Sequence, residues 1–294
     1  MKRLAWLACF ALAGCGSATF TLPPPGPATG SGRYSWRPLE GIQHPRADFD
    51  AAEAAAPRVF RFGQFYYNLY SARQDGVWCT GLTASTDGLD WNLGRKVLVA
   101  DPRIWEGGRL AAFGSALVIG ELIHYWYTAG DPPRIALARS HDGRSWRREQ
   151  EPVLAPASGK DWDGFSTAFP TVVAAEDAYY MYYTGSNAAG QTRLGLARSP
   201  DGVTWKRLRA NPLADIAGAP GVAVWRAHGA WWMLRPAGEE RLVLSRSGDG
   251  VEWEPAPLAF DGAWPSVLAA GRDVHVWYSL KGAIRAGRLD WIPE

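Results

Sequence analysis

The sequence predicts an all-β fold, a five-bladed β-propeller with four-stranded antiparallel blades, and three observations carry that prediction. The heptapeptide S-x-D-G-x-x-W occurs four times, as STDGLDW at 85, SHDGRSW at 140, SPDGVTW at 199 and SGDGVEW at 247. Each copy follows the same succession of strand-like runs, and a unit length of about 45–60 residues is that of a propeller blade. Sixteen Trp and almost no helical periodicity fit the same architecture.

Within a unit the first run is apolar and is opened by a small residue or proline: APRVFRF at 56, GSALVIG at 114, FPTVVAA at 169 and APGVAVW at 219. The second is aromatic, reading FYYNLYSA at 65, IHYWYTAG at 123, YYMYYTGS at 179 and WWMLRPAG at 231. Such residues suit a pleated, half-buried surface. The third run, GLTAS, IALARS, LGLARS or LVLSRS, leads into the heptapeptide, and the residues beyond it supply a fourth strand. Asp-Gly provides the positive φ of a tight hairpin turn, while the Ser and Asp oxygens accept the turn's free N–H groups. Asp87, Asp142, Asp201 and Asp249 are therefore expected as turn braces rather than catalytic acids, with the Trp beyond each turn packed between blades.

A fifth unit is cut short. WPSVLAA at 264, VHVWYSLK at 274 and AIRAGRL at 283 match the first three runs, with no heptapeptide after them. The missing strand is expected at the other end, where Gly32-Arg33-Tyr34-Ser35-Trp36-Arg37 looks like the tail of a heptapeptide turn. An N-terminal strand over Arg33 to Leu39 closing the last blade would leave no long exposed edge.

Ahead of that strand, Lys2 and Arg3 precede the apolar run LAWLACFAL, too short to span a bilayer, and then Leu12-Ala13-Gly14-Cys15. LAGC resembles the bacterial lipobox. The resemblance implies a lipoprotein signal peptide over 1–14, lipidation of Cys15, and membrane contact through the lipid anchor only. Gly16 favours delivery to the outer membrane. Residues 15–32, rich in Pro, Gly, Ser and Thr, read as a flexible tether, and 33–294 as the propeller. Cys9 leaves with the leader, and Cys79, in a strand-like run, is expected buried and inert, so no disulfide forms. The 31 basic residues lose Lys2 and Arg3 with the leader and then balance the 29 acidic ones, which excludes nucleic acid as an expected partner. The five His have no metal-ligand spacing and no Gly-rich phosphate loop occurs, so neither a metal nor a cofactor is expected.

The YYMYYTGS-type strand, the LGLARSPDGVTW-type hairpin and the W/F-D pair ahead of inner strands together resemble the five-bladed glycoside hydrolase superfamily, which includes arabinanases, β-xylosidases, β-fructosidases and mannoside phosphorylases. The resemblance covers residues 33–294 and implies a central funnel with carboxylates where the chain enters each inner strand. The entry segments carry Asp50, Glu106, Asp163, Asp215 and Asp261. Glycosidic cleavage needs one protonated and one ionised carboxyl, so Asp50, Glu106 and Asp163 are the candidate catalytic residues. Trp105, Trp162 and Trp264 are candidates to stack on sugar rings, and Arg134 and Arg193 to clamp acidic groups or pair with the rim acids. One departure stands out: the Asp-Pro pair of arabinanase-type inner strands is replaced by Ala56-Pro57, Phe113-Gly114, Phe169-Pro170, Ala219-Pro220 and Trp264-Pro265. Two readings follow, both with carbohydrate as partner and a monomer as the expected state. One is an envelope-anchored glycosidase; the other is a catalytically degenerate propeller that binds glycan or an envelope protein.

Overall fold

The structure is a computed structural model that describes residues 16–159, 161–176, 178–215 and 221–294. Cys15 and residues 1–14, expected as a leader, lie outside the described residues. Among the described residues the first strands are β1 (Ser17–Ala18) and β2 (Gly32–Leu39). Blade one is β3 (Glu53–Phe62), β4 (Phe65–Gln74), β5 (Val77–Ser85) and β6 (Arg95–Leu98); blade two is β7 (Ala111–Ile119), β8 (Leu122–Ala129), β9 (Arg134–Ser140) and β10 (Arg147–Arg148). Blade three is β11 (Ser166–Ala175), β12 (Ala178–Ser186), β13 (Thr192–Ser199) and β14 (Lys206–Leu208), with β15 (Ala214–Asp215) added beside β13. Blade four is β16 (Ala223–Ala227), β17 (Ala230–Pro236), β18 (Arg241–Ser247) and β19 (Glu254–Asp261). Blade five runs in the order β20 (Ala263–Ala270), β21 (Asp273–Leu280), β22 (Ala283–Pro293), β2. The N-terminal strand therefore closes the ring, with Trp36 opposite Leu289 and Leu39 opposite Ala286.

The four heptapeptides form one repeated turn. In each, the Gly N–H donates to the Ser hydroxyl at 2.8 Å and that hydroxyl donates to the Asp carboxylate. The carboxylate also accepts the next two backbone N–H groups, which hold Asp142 down at about 2 through the amides of Ser145 and Arg144. The glycines serve a second purpose. Gly202 (φ 74°) accepts the Trp126 indole N–H of blade two on its carbonyl, and a Cβ there would lie 2.9 Å from that ring. Gly88 meets Trp277 of blade five in the same way. The turn thus docks blade three on blade two and blade one on blade five.

A second lattice ties the inner strands. A β-bulge interrupts β3, β7, β11 and β20 at one register, and the residue at the bulge, Ala56, Phe113, Phe169 or Trp264, takes a φ of 49–54°. Non-glycine residues rarely adopt that conformation. It is held from outside: the Ala56, Phe113 and Phe169 N–H groups each donate to a Ser or Thr hydroxyl of the preceding blade, Ser279, Ser71 and Thr128, at 2.9 Å.

The stretch 16–31 is not the free tether its composition suggests. β1 pairs in parallel with β14, Phe20 and Leu22 pack into the core between blades three and four, and the Pro23 carbonyl accepts the Trp231 indole N–H. Thr29 then bonds His228, whose ring stacks on Trp291 at 3.8 Å. Pro and Gly keep such a segment extended, but two large apolar side chains among them suffice to dock it.

Candidate functional site

The three acids expected at the rim are buried within their own blades. Asp50, Glu106 and Asp163 are each about 1% exposed or less. Asp50 accepts the Tyr70 hydroxyl at 2.5 Å and the Ala47 N–H at 2.6 Å. Glu106 accepts the Tyr127 hydroxyl, the Asp101 N–H at 2.9 Å and Arg148 Nη1 at 3.0 Å. Asp163 accepts the Tyr183 hydroxyl at 2.8 Å and Arg207 Nε at 2.7 Å. Tyr70, Tyr127 and Tyr183 hold one register on the middle strands β4, β8 and β12. Burial and the adjoining carboxylate push the Tyr70 and Tyr127 hydroxyls far above their usual range, so both stay protonated and donate. Burial does the same for Tyr183. The geometry is a brace that clamps each entry loop to its blade. No hydrogen bond joins one acid to another among the described residues, and none of the three lines the axial cavity.

The aromatic and basic candidates divide similarly. Trp105 packs in the core of blades one and two, with Arg134 over its ring at 5.9 Å. Trp162 lies against Tyr183 and the backbones of Gly185 and Gly195. Arg193 pairs with exposed Asp215, and Arg241 with exposed Asp261. Cys79 is buried, donates weakly to the Ala72 carbonyl, and is raised by burial. Trp264 alone among these candidates reaches the axis.

There it joins residues that sequence reasoning had quoted without assigning a role. Register places Ala56, Phe113, Phe169, Gly221 and Trp264 in one ring around the axis, each two residues ahead of Arg58, Ser115, Thr171, Ala223 and Ser266 in a second. The blade-four member is Gly221; Ala219 and Pro220 lie outside the described residues. A Cβ at Gly221 would lie 2.5 Å from the Trp264 ring, so glycine makes room for the indole. The ring centroids of Phe113, Phe169 and Trp264 stand 4.9, 5.1 and 5.6 Å apart, and Trp78 adds a fourth ring 4.6 Å from Phe113. All four are half-buried. This upper ring holds no ionisable side chain. The signal was present in the sequence, since three of the positions that could have carried Asp carry aromatics instead.

The second ring borders a cavity of about 310 Å³ reached by all five inner strands, with Arg58, Ser115, Thr171, Ala223 and Ser266 in its lining. Among the described residues no cluster of His, Cys, Asp or Glu could hold a metal ion. No helix among them is long and apolar enough to cross a membrane.

Comparison with known proteins agrees with this architecture. The sequence model of glycoside hydrolase family 130, described as beta-1,4-mannooligosaccharide phosphorylase, matches residues 109–256, half of the chain. No curated protein matches the sequence. Among solved structures, Zg3597, a family 117 glycoside hydrolase from the marine bacterium Zobellia galactanivorans, superposes with a TM-score of 0.71 at 16% identity, covering 88% of this chain and 90% of that one. A structure described with the GH130 mannoside phosphorylases, among them hydrolases that target beta-1,2 mannosidic linkages in Candida mannan, gives 0.62 at 14% identity over 89% and 94%. The Bombyx mori GH32 beta-fructofuranosidase BmSUC1 gives 0.62 at 16% over 90% and 65%. At such identities the structural likeness speaks for the fold.

Proposed function

Since the chain belongs to glycoside hydrolase family 130, we propose that it is a glycan-binding propeller that holds an oligosaccharide at its aromatic mouth without cleaving it. One observation carries this reading: the ring of Ala56, Phe113, Phe169, Gly221 and Trp264 contains no carboxyl group, while three half-buried aromatic rings meet across the axis. Cleavage by two carboxyls needs both within reach of one glycosidic oxygen or its anomeric carbon. The buried acids of blades one to three are each committed to a tyrosine donor and a further partner inside the blade. Half-buried aromatic surface that can receive the CH groups of a sugar is offered by Trp264, Phe169, Phe113 and Trp78, with the Arg73 guanidinium over Trp78 at 5.7 Å. The family points to mannose-type chains as the first ligands to try. The lipobox-like LAGC supports export and anchoring through Cys15, which would present this mouth to envelope or extracellular glycans.

The test combines binding with turnover. Titration of β-1,4-mannooligosaccharides should give saturable calorimetric and tryptophan-fluorescence responses that fall at least about tenfold in Trp264→Ala and Phe169→Ala, the loss expected from about 1.4 kcal/mol of contact. The same sugars incubated with and without phosphate should release neither reducing ends nor a sugar 1-phosphate. Release of either product by the purified protein would overturn the reading. For the anchor, Cys15→Ser should move the protein from the membrane fraction to the soluble one.

A further inference from the structure

Arg58 is a buried arginine on the axis of the ring, 7% exposed, in a position where the other blades carry Ser115, Thr171, Ala223 and Ser266. Its Nε donates to the Gly114 carbonyl of blade two and its Nη1 to the Pro265 carbonyl of blade five, both at 2.5 Å. These two bonds leave Nη2 uncommitted, and among the described residues no carboxylate pairs with the guanidinium. A buried charge normally requires a counter-charge, because its desolvation is offset only partly by neutral carbonyls. Burial pulls Arg58 down to about 10, which still leaves it charged at neutral pH.

The residues beside those two carbonyls complete a set of donors. The Ser115 hydroxyl oxygen accepts the Val172 N–H and the Ser266 hydroxyl oxygen accepts the Val59 N–H, both at 2.9 Å. Each hydroxyl hydrogen therefore remains to be donated, with no acceptor for either among the described residues. Arg58, Ser115 and Ser266 all line the axial cavity of about 310 Å³, the exposed Arg226 adds a second cation to its wall, and no acidic side chain lines it. Thr171 is already spent on the Val222 carbonyl at 2.6 Å. Phe113, Phe169 and Trp264, whose centroids are close enough for ring contact, do not line this cavity.

From this geometry we infer that the propeller axis holds a small monovalent anion, a halide or a carboxylate, bound by Arg58 Nη2 and the Ser115 and Ser266 hydroxyls. The anion neutralises Arg58 and joins blades one, two and five through a single charge. It is a structural ligand of the ring, independent of any glycan at the mouth.

The experiment measures thermal unfolding of the purified protein at fixed ionic strength, exchanging a bulky sulfonate for sodium bromide or for sodium acetate. A saturable rise of several degrees is expected with bromide, acetate or both; which salt acts identifies the source of the charge. No response to either overturns the proposal. Arg58→Gln should melt without anion dependence, and a folded variant that keeps the wild-type response also overturns it. If Arg58→Gln does not fold, bromide-soaked crystals of the wild type decide. An anomalous peak within hydrogen-bond reach of Arg58 Nη2 and the two serines is expected, and an axis without one refutes the site.

Discussion

Replacing Glu106 by Gln separates a brace from a catalyst. Glu106 is 1% exposed and receives three donors, the Tyr127 hydroxyl, the Asp101 N–H and Arg148 Nη1. Glutamine offers one acceptor oxygen, and its amide nitrogen must face at least one of those donors. Breaking a buried charged pair costs about 3–5 kcal/mol. Arg148 is 20% exposed and also donates to the Val99 carbonyl, so water and that bond recover part of the loss. That recovery brings the expected cost to about 2–3 kcal/mol, at or just below the bottom of that range. For a domain of this size that corresponds to a fall in Tm of about 5–10 °C. The assay is calorimetric or fluorescence-monitored unfolding, paired with mannooligosaccharide titration below the transition. A brace predicts lower stability with glycan affinity per folded molecule unchanged. An unshifted Tm would refute the brace, and turnover by the wild type that vanishes in Glu106→Gln would restore the residue to chemistry.

Three further outcomes follow from the same contacts. Leu22→Ala should cost about 2–4 kcal/mol in chemical denaturation, because Leu22 is 7% exposed and packs on Gly250 and the core of blades three and four; an unchanged midpoint would mean that residues 16–31 do not dock. Deleting 16–39 should destabilise more than deleting 16–31, since only the first removes β2 and exposes the edge of β22; equal melting temperatures would contradict ring closure by the N-terminal strand. His44, edge-on to Tyr70 at 4.8 Å with both ring nitrogens buried, is lowered to about 4 by burial, with Asp50 opposing and Arg46 assisting. The unfolded chain takes up this proton near 6.5 and the folded one only near 4, so stability is full above 6.5 and falls by about 3 kcal/mol as pH drops through that window. A His44→Leu variant should show a shallower decline, and parallel pH curves would rule the residue out.

The blades were legible because their signals are local. A Ser, an Asp and a Gly within four residues fix the heptapeptide turn whatever surrounds it, and the hydrogen bonds repeat at all four copies. The aromatic middle strands and the closing strand over Arg33 to Leu39 were legible for the same reason. The acids were visible as residues but not as partners. Glu106 finds Tyr127 and Arg148 twenty-one and forty-two positions away, and nothing in a short stretch of sequence shows that these three converge inside one blade. Residues 16–31 misled through composition, since Pro, Gly and Ser outnumber the two side chains, Phe20 and Leu22, that dock the segment. In blade four the pair Ala219-Pro220 lies outside the described residues, and the pairing of β16 with β17 gives the axial position to Gly221.

The placement of these interactions explains how such a ring can keep its fold while its axis changes chemistry. Stability resides in the heptapeptide turns, in the Ser and Thr hydroxyls that hold the bulged inner strands, and in the tyrosine-clamped acids, all set back from the axis. The bulge fixes the backbone of the axial residue at a positive φ through a bond to its N–H, a group every residue but proline possesses. Its side chain is then free to be Ala, Phe or Trp without disturbing the lattice that positions it. An Asp at such a position would be aimed at the axis by the same backbone. In this chain three of the five positions carry aromatics, which exchange proton transfer for contact area, and a buried charge, Arg58, lies two residues further along its inner strand.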